Sequence, residues 1–221
     1  MKRSEIIIEL IKNEISVVQA MNTLNLLLQD ITNKEVKKWL CCEINGYNDK
    51  DKVPEYRIVN INLKGNFIAG NYNCTGLDIP LKPQYIKDYA TTKITASIYE
   101  ISQFAIAEKE NESHSLIIPL HAAIAQDISM INGQVISAYK ELPVYSHTNI
   151  LNIIKSKLLQ IFIELEKKYG NLDNYYIEFT NGKKEKEVVK DITNIIYNDN
   201  SVHIGDNSKI EKSNVGVGNE N

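Results

Sequence analysis

The sequence is short of the residues that staple a fold or anchor it in a bilayer. It holds three cysteines, Cys41, Cys42 and Cys74, in 221 residues. An odd count leaves no complete disulfide framework and fits a reducing compartment. Neighbouring residues on a helix point about 100° apart, so Cys41–Cys42 is a poor chelate and a poor disulfide. The pair reads as small packing residues near a helix end. No run approaches the ~20 apolar residues of a membrane span. The opening MKRSEIIIELIKNEIS is interrupted by charges too often for a signal peptide. The expectation is a cytoplasmic protein with no membrane partner. A charge excess is missing as well: 25 Lys and Arg face 28 Asp and Glu, a net charge of −3. The total therefore carries no electrostatic footprint for nucleic acid, although a local basic face stays open.

Catalytic and ligand signatures are missing too. There is no phosphate-binding glycine loop, no zinc-spaced Cys/His cluster and no nucleophile elbow. The four histidines, His114, His121, His147 and His203, are scattered without ligand spacing and read as surface or boundary residues. No metal and no cofactor are expected. Tyrosine is plentiful at 12, but Tyr175-Tyr176 and the others form no spaced stripe beside basic residues. That argues against a single-strand nucleic-acid surface.

What is present suits one globular domain with an appendage: 43% hydrophobic and 24% charged residues. A core of this size needs neither disulfides nor metal. Residues 4–44 read as three helices. Ser4 is placed to cap the first, with Ile7, Leu10 and Ile11 inward. Ser16-x-x-Gln19 opens the second as a capping box, and Thr32-Asn33-Lys34-Glu35 opens the third. YRIVNINLKGNFIAG then alternates, with Val59, Ile61 and Leu63 on one side, and Gly65 and Gly70 as punctuation. Residues 71–92, with Pro80 and Pro83, read as an irregular loop over the core. Helical spacing returns at 93–109, through Ile94, Ile98, Ile101 and Ala105. SLIIPL is a short apolar piece, 121–131 reads as helical and Val135–Tyr139 as a short strand. Asn149 to Tyr169 is the clearest helix, with Ser146 or Thr148 as its cap.

The fold class is mainly α with a small β component (α+β): a three-helix unit, short central strands and a long late helix. Residues 1–180 form the helical domain, 181–198 a charged linker or helix, and 199–221 a Gly/Asn-rich, β-like tail. In the tail Val202, Ile204, Ile210, Val215 and Val217 recur on a weak six-residue beat. Such a segment cannot bury a core alone. Three copies around one axis could turn Ile204 and Ile210 inward, so self-association through 199–221, a trimer first, is the expectation.

The dense cluster is WLCCEINGYNDKDKVPEYR. Val36, Trp39, Leu40 and Ile44 make an apolar stripe, and Glu43 falls on it four residues after Trp39. A carboxylate facing a core must be paired. Gly46 sits where a left-handed glycine would end the helix, and a loop returns to Arg57. Arg57 forked onto Glu43, with Tyr47 or Tyr56 completing the hydrogen bonds, meets that need. Trp39, Glu43, Gly46, Tyr47, Pro54, Tyr56 and Arg57 are then either a buried clamp between helix and strand or a ligand-binding or catalytic carboxylate site.

The same residues carry a resemblance. WLCCEINGYNDKDKVPEYRI resembles the signature of the AbiTii domain, the type Tii abortive-infection family of bacterial antiphage proteins. The matching positions are Trp39, Glu43, Gly46-Tyr47 and Pro54-Glu55-Tyr56-Arg57. KITASIYEIS, with Glu100, is similar to the family's mid-domain helix, and ILNIIKSKLLQIFIELEKKYG, with Leu165-Glu166, to its late helix. The tail HIGDNSKIEKSNVGVG is similar to the family's glycine–asparagine ends. The chain departs from the pattern at 155–157, where lysines stand in place of an arginine. The resemblance implies defence against phage and supplies no reaction.

Two functions compete. In the first the chain is an interaction module, triggered by a phage or host protein, that assembles into oligomers without being an enzyme. In the second it is a toxin enzyme, a metal-dependent nuclease or nucleotide hydrolase using Glu43, Glu100 and Glu164 or Glu166 as hard oxygen ligands. Carboxylates converging in an open cleft would mark the enzyme. Carboxylates paired one by one in a dry interior would mark the module.

Overall fold

The computed structural model describes residues 2–110, 116–179 and 182–197. Three helices open the chain, α1 (Glu5–Lys12), α2 (Val17–Leu27) and α3 (Lys34–Asn45). In α1 the buried stripe is Ile6, Ile7 and Leu10, while Ile11 is exposed, a correction to the inward set read from spacing. Ser4 occupies the N-cap position of α1 but makes no capping bond. Its hydroxyl instead donates to Glu166 at 2.7 Å and accepts from the Leu172 amide at 2.9 Å. The capping box of α2 is present as read, with Ser16 and Gln19 each accepting from the other's amide. For α3 the cap is Asn33 and not Thr32, accepting from the Val36 amide at 2.9 Å. Thr32 donates both its amide and its hydroxyl to Glu185.

A 3-10 turn at Glu55–Arg57 leads into β1 (Ile58–Asn60) and β2 (Asn62–Ala69). The alternation holds: Ile61, Leu63 and Phe67 are buried, while Asn60 and Asn62 are exposed. Gly70, at φ +58°, turns the chain into β3 (Tyr72–Asp78). The reading of 71–92 as an irregular loop is corrected here. β3 is an edge strand with six of its seven residues exposed, so it lacks the apolar alternation of a half-buried strand. After Pro80 come a 3-10 turn (Pro83–Tyr85), α4 (Ile86–Tyr89) and β4 (Thr91–Lys93). β4 pairs antiparallel with β1, Ile58 opposite Lys93. It also takes the start of the expected 93–109 helix, so α5 runs over Ile98–Glu110, opened by a capping box between Ser97 and Glu100.

β5 (Ile117–Leu120), α6 (Ala122–Ile128) and β6 (Gly133–Glu141) follow. The main sheet is antiparallel in the order β3-β2-β6-β5. Its inner face supplies Leu63, Phe67, Val135 and Ala138 to one apolar cluster shared with the helices. Through that cluster runs α7 (Ser146–Tyr169), burying Ile150, Ile154, Leu158, Ile161 and Leu165. Of the two readings for 181–198, the helix is the one observed over Gly182–Tyr197. α8 (Gly182–Tyr197) lays Val188, Ile192 and Ile196, four residues apart, into the core. Among the described residues no helix is long and apolar enough to cross a membrane. The tail at 199–221, its Val202, Ile204, Ile210, Val215 and Val217, and both His114 and His203 lie outside the described residues.

Candidate functional site

The signature cluster assembles at the C-terminal end of α3. Its apolar stripe docks Val36, Trp39 and Leu40 into the core, and Glu43 goes in with them, because it lies one turn beyond Trp39. Gly46 then reverses the chain at φ +92°, ψ 164°. The sign of φ is as expected, but the conformation is extended and not left-handed helical. A Cβ there would stand 3.1 Å from the Thr95 carbonyl oxygen, which the Tyr47 amide needs as its acceptor at 2.8 Å. Gly46→Ala is expected to cost about 1–2 kcal/mol, since this backbone region is essentially reserved for glycine. A urea unfolding curve with an unchanged midpoint would remove Gly46 from the helix-end account.

The returning loop is held at the surface by Asp51. It accepts from the Asn48 amide at 2.9 Å and pairs with Lys38 at 2.7 Å. The Lys38 ammonium and the Asn48 amide bring the Asp51 carboxyl down to about 2. Pro54 enters the 3-10 turn that delivers Tyr56 and Arg57 inward.

Both Glu43 and Arg57 have 0% exposure. Glu43 Oε2 accepts from Arg57 Nη2 at 2.5 Å. Oε1 accepts from the Tyr47 hydroxyl at 2.6 Å, the Tyr56 hydroxyl at 2.7 Å and Arg57 Nε at 3.1 Å. Trp39 Nε1 donates to the Tyr56 hydroxyl at 2.8 Å. Arg57 Nη1 crosses to the carbonyls of Ile94 at 3.2 Å and Ala96 at 2.6 Å. The guanidinium also lies 4.9 Å from the centre of the Tyr47 ring. Burial and the Glu43 charge push both phenols far above their ordinary range. Burial by itself would lower Arg57, but the charge and hydrogen bonds of Glu43 outweigh it and the guanidinium is raised. Four donors reach this one carboxylate, three converging on Oε1 and one on Oε2. The group is a saturated anchor that ties α3, the loop and residues 94–96 into one unit.

The other carboxylates proposed from sequence do not join Glu43. Glu100 serves the Ser97 cap, Glu164 pairs with Lys167 at 2.6 Å, and Glu166 takes Arg3 and Ser4. Among the described residues no group of three His, Cys, Asp or Glu is placed to hold a metal ion. Cys42 is buried and its thiol is pushed up by burial, while Cys41 is exposed, a correction to reading both as packing residues. At 155–157 the lysines have specific partners: Lys155 donates to Asn13 and Lys157 to the Ile195 carbonyl at the end of α8.

A second buried carboxylate escaped the sequence reading. Glu108 of α5 caps α7 from outside, accepting from the amides of His147 and Thr148 at 3.0 Å each. It also meets the Thr148 hydroxyl at 3.0 Å and His147 Nδ1 at 2.7 Å. This replaces Ser146 or Thr148 as the cap and moves His147 from surface to core, 4% exposed. The signal was there: Glu108 continues the Ile101–Ala105 stripe as Glu43 continues that of Trp39. His121 in turn caps α6 through the Ala123 amide.

Burial would raise Glu108 and Glu166, but hydrogen bonds from His147 and Thr148, and from Ser4 and Arg3, prevail and hold both below the usual carboxylate range. A lowered carboxyl contributes stability that is complete above its unfolded value, about 4.3 for Glu, and is lost as pH falls through the folded one. Melting temperature should therefore be flat from pH 7 to pH 5 and fall below about pH 4. In Glu108→Gln that fall should be shallower. An identical acid limb in the variant would show that Glu108 is not part of it.

The geometry defines an α+β domain pinned by a buried carboxylate–guanidinium anchor, with its candidate carboxylates dispersed among structural partners. The AbiTii family model matches residues 4–192, and the chain belongs to the AbiTii family. Membership points to antiphage defence of the abortive-infection kind. No curated protein and no solved structure matches the chain.

Proposed function

We propose that the protein acts in antiphage defence as a sensing and interaction module that assembles into oligomers, in response to a phage or host protein. The supporting observation is the state of Glu43: fully buried, with its oxygens taken by Arg57, Tyr47 and Tyr56. A carboxylate so occupied is an architectural part, and the toxin-enzyme reading needs it open beside Glu100, Glu164 and Glu166. Assembly is assigned to residues 199–221, with a trimer as the favoured state.

A phage-challenge assay beside light scattering tests this reading. Glu100→Ala and Glu164→Ala should keep protection. Deletion of 199–221 should abolish it and lower the solution mass to that of a monomer, while the remaining domain still melts cooperatively. Loss of protection in the two carboxylate variants, with unchanged melts, would favour the enzyme. A full-length chain that stays monomeric at high micromolar concentration would end the assembly proposal.

A further inference from the structure

A cleft lies beside the 48–53 loop that follows α3. The 48–53 loop, the β1–β4 ribbon, α4 and the end of β6 enclose about 560 Å³. Three lysines from three elements line it: Lys87 of α4, Lys93 of β4 and Lys140 of β6. None of them has an ion-pair partner among the described residues. Lys140 is steered by the Tyr89 ring, 5.6 Å from its centroid. Nearby lysines behave differently, Lys38 being paired with Asp51 and Lys64 with Glu141 at 2.7 Å each. Thr91, Thr92 and Thr95 also line the cleft, and Thr91 shares the strand face of Lys93 and Ile58, since successive side chains on β4 alternate. Ile58 supplies an apolar floor and is 41% exposed, while Asp49 and Asp88 stand at the wall with no ion pair of their own among the described residues.

Three lysines and two aspartates line one volume, a net positive charge of +1 that an anion can neutralise. Lysine recognises phosphate as a point charge from several directions. The volume falls within the range of small-molecule sites, and the lining is mostly polar, with Val53 and Ile58 as its apolar residues. The two carboxylates then suit a ligand that also carries hydroxyl or amino donors. We propose that this cleft binds a nucleoside phosphate, with its phosphates on Lys87, Lys93 and Lys140 and its ring over Ile58.

The anchor has a part in this. Arg57 Nη1 holds the carbonyls of Ile94 and Ala96, the Arg57 carbonyl accepts from the Ile94 amide at 2.8 Å, and the Tyr47 amide holds the Thr95 carbonyl. The strand that carries Thr91, Thr92 and Lys93 is thus fixed directly to the AbiTii signature residues. Arg57 and Tyr47 are positioning residues for the cleft and do not touch its ligand.

The site does not depend on assembly, because binding is read on the full chain whatever its oligomeric state. Titration calorimetry at low salt with ADP, GDP, CDP and UDP tests it, with pyrophosphate as competitor. At least one nucleotide should bind at submillimolar concentration. Lys93→Ala and Lys140→Ala should each weaken it at least tenfold with unchanged melts, and Lys12→Ala, a charge loss on α1, should leave it unaltered. Absence of binding by all four nucleotides at millimolar concentration overturns the proposal, as does binding that survives both cleft variants. Pyrophosphate binding as tightly as the best nucleotide would overturn the nucleoside part.

Discussion

Arg57→Met is expected to lower stability by about 3–5 kcal/mol, the range for removing one partner of a buried ion pair. At about 2–4 °C per kcal/mol for a chain of this size, the melting temperature should drop by roughly 6–20 °C. The loss comes mainly from what is left behind. Glu43 would remain at 0% exposure with two phenol donors and no cation. The carbonyls of Ile94 and Ala96 would lose their Nη1 donor as well. Arg57→Lys keeps the charge but loses the planar fork that reaches Glu43 on one side and two carbonyls on the other, so it should fall between wild type and Arg57→Met. The double variant Arg57→Met with Glu43→Gln should regain part of the loss, because the orphaned charge is gone. Calorimetric melts decide the matter. A fall of less than about 0.5 kcal/mol for Arg57→Met, the range of surface substitutions, would remove the anchor from the account.

Gly65→Ala should be a severely damaging single-methyl change in the sheet, at about 3 kcal/mol, the upper end of overpacking costs. Gly65 lies inside β2, between β3 and β6, opposite Leu77 and Ala138. A Cβ at this position would overlap the backbone oxygen of Ser137 and come within 2.8 Å of the Ile79 Cδ1 atom. The methyl can swing away; the carbonyl belongs to the β6 ladder and cannot move without opening it. The close approach coincides with a register shift at Asn66/Phe67, where both neighbouring ladders slip. Glycine in a strand interior commonly marks such a place, so the reading of Gly65 as punctuation is replaced by a packing requirement. Gly70→Ala gives the comparison: its Cβ would meet nothing within 4 Å and only the positive φ resists it. Denaturant midpoints that rank Gly70→Ala below Gly65→Ala would contradict this assignment.

Much of the architecture was legible because helices advertise themselves locally. The capping box at Ser16 and Gln19, the Trp39 stripe and the long apolar repeat of α7 depend on residues within a few turns of each other. The pairing of Glu43 with Arg57 was legible for a related reason. A carboxylate on an apolar stripe requires a partner, and a short loop brings back one arginine only fourteen positions later. β3 was not legible, because an edge strand that buries almost nothing has no hydrophobic pattern to show. The buried face of α8 hid behind NGKKEKEVVK, whose charges mask Val188, Ile192 and Ile196 until the 3.6-residue period is followed past the charged run.

By itself the sequence determined the α+β class, the amphipathic helices, the pairing of Glu43 with Arg57 and the AbiTii signature. The first three follow from periodicity, capping and the need to pair a charge on an apolar face, and the signature is carried by resemblance to the family. Tertiary structure decided the rest. Glu166 reaches Ser4 across 162 positions, Glu185 reaches Thr32 across 153, and Glu108 caps a helix 39 residues away. It also decided that Lys87, Lys93 and Lys140 share a cleft and that Glu43, Glu100, Glu164 and Glu166 do not. Local spacing fixes which face of an element is buried. Which distant element lies against that face is set by how whole faces fit together, and a buried carboxylate takes whatever donors that docking brings within reach.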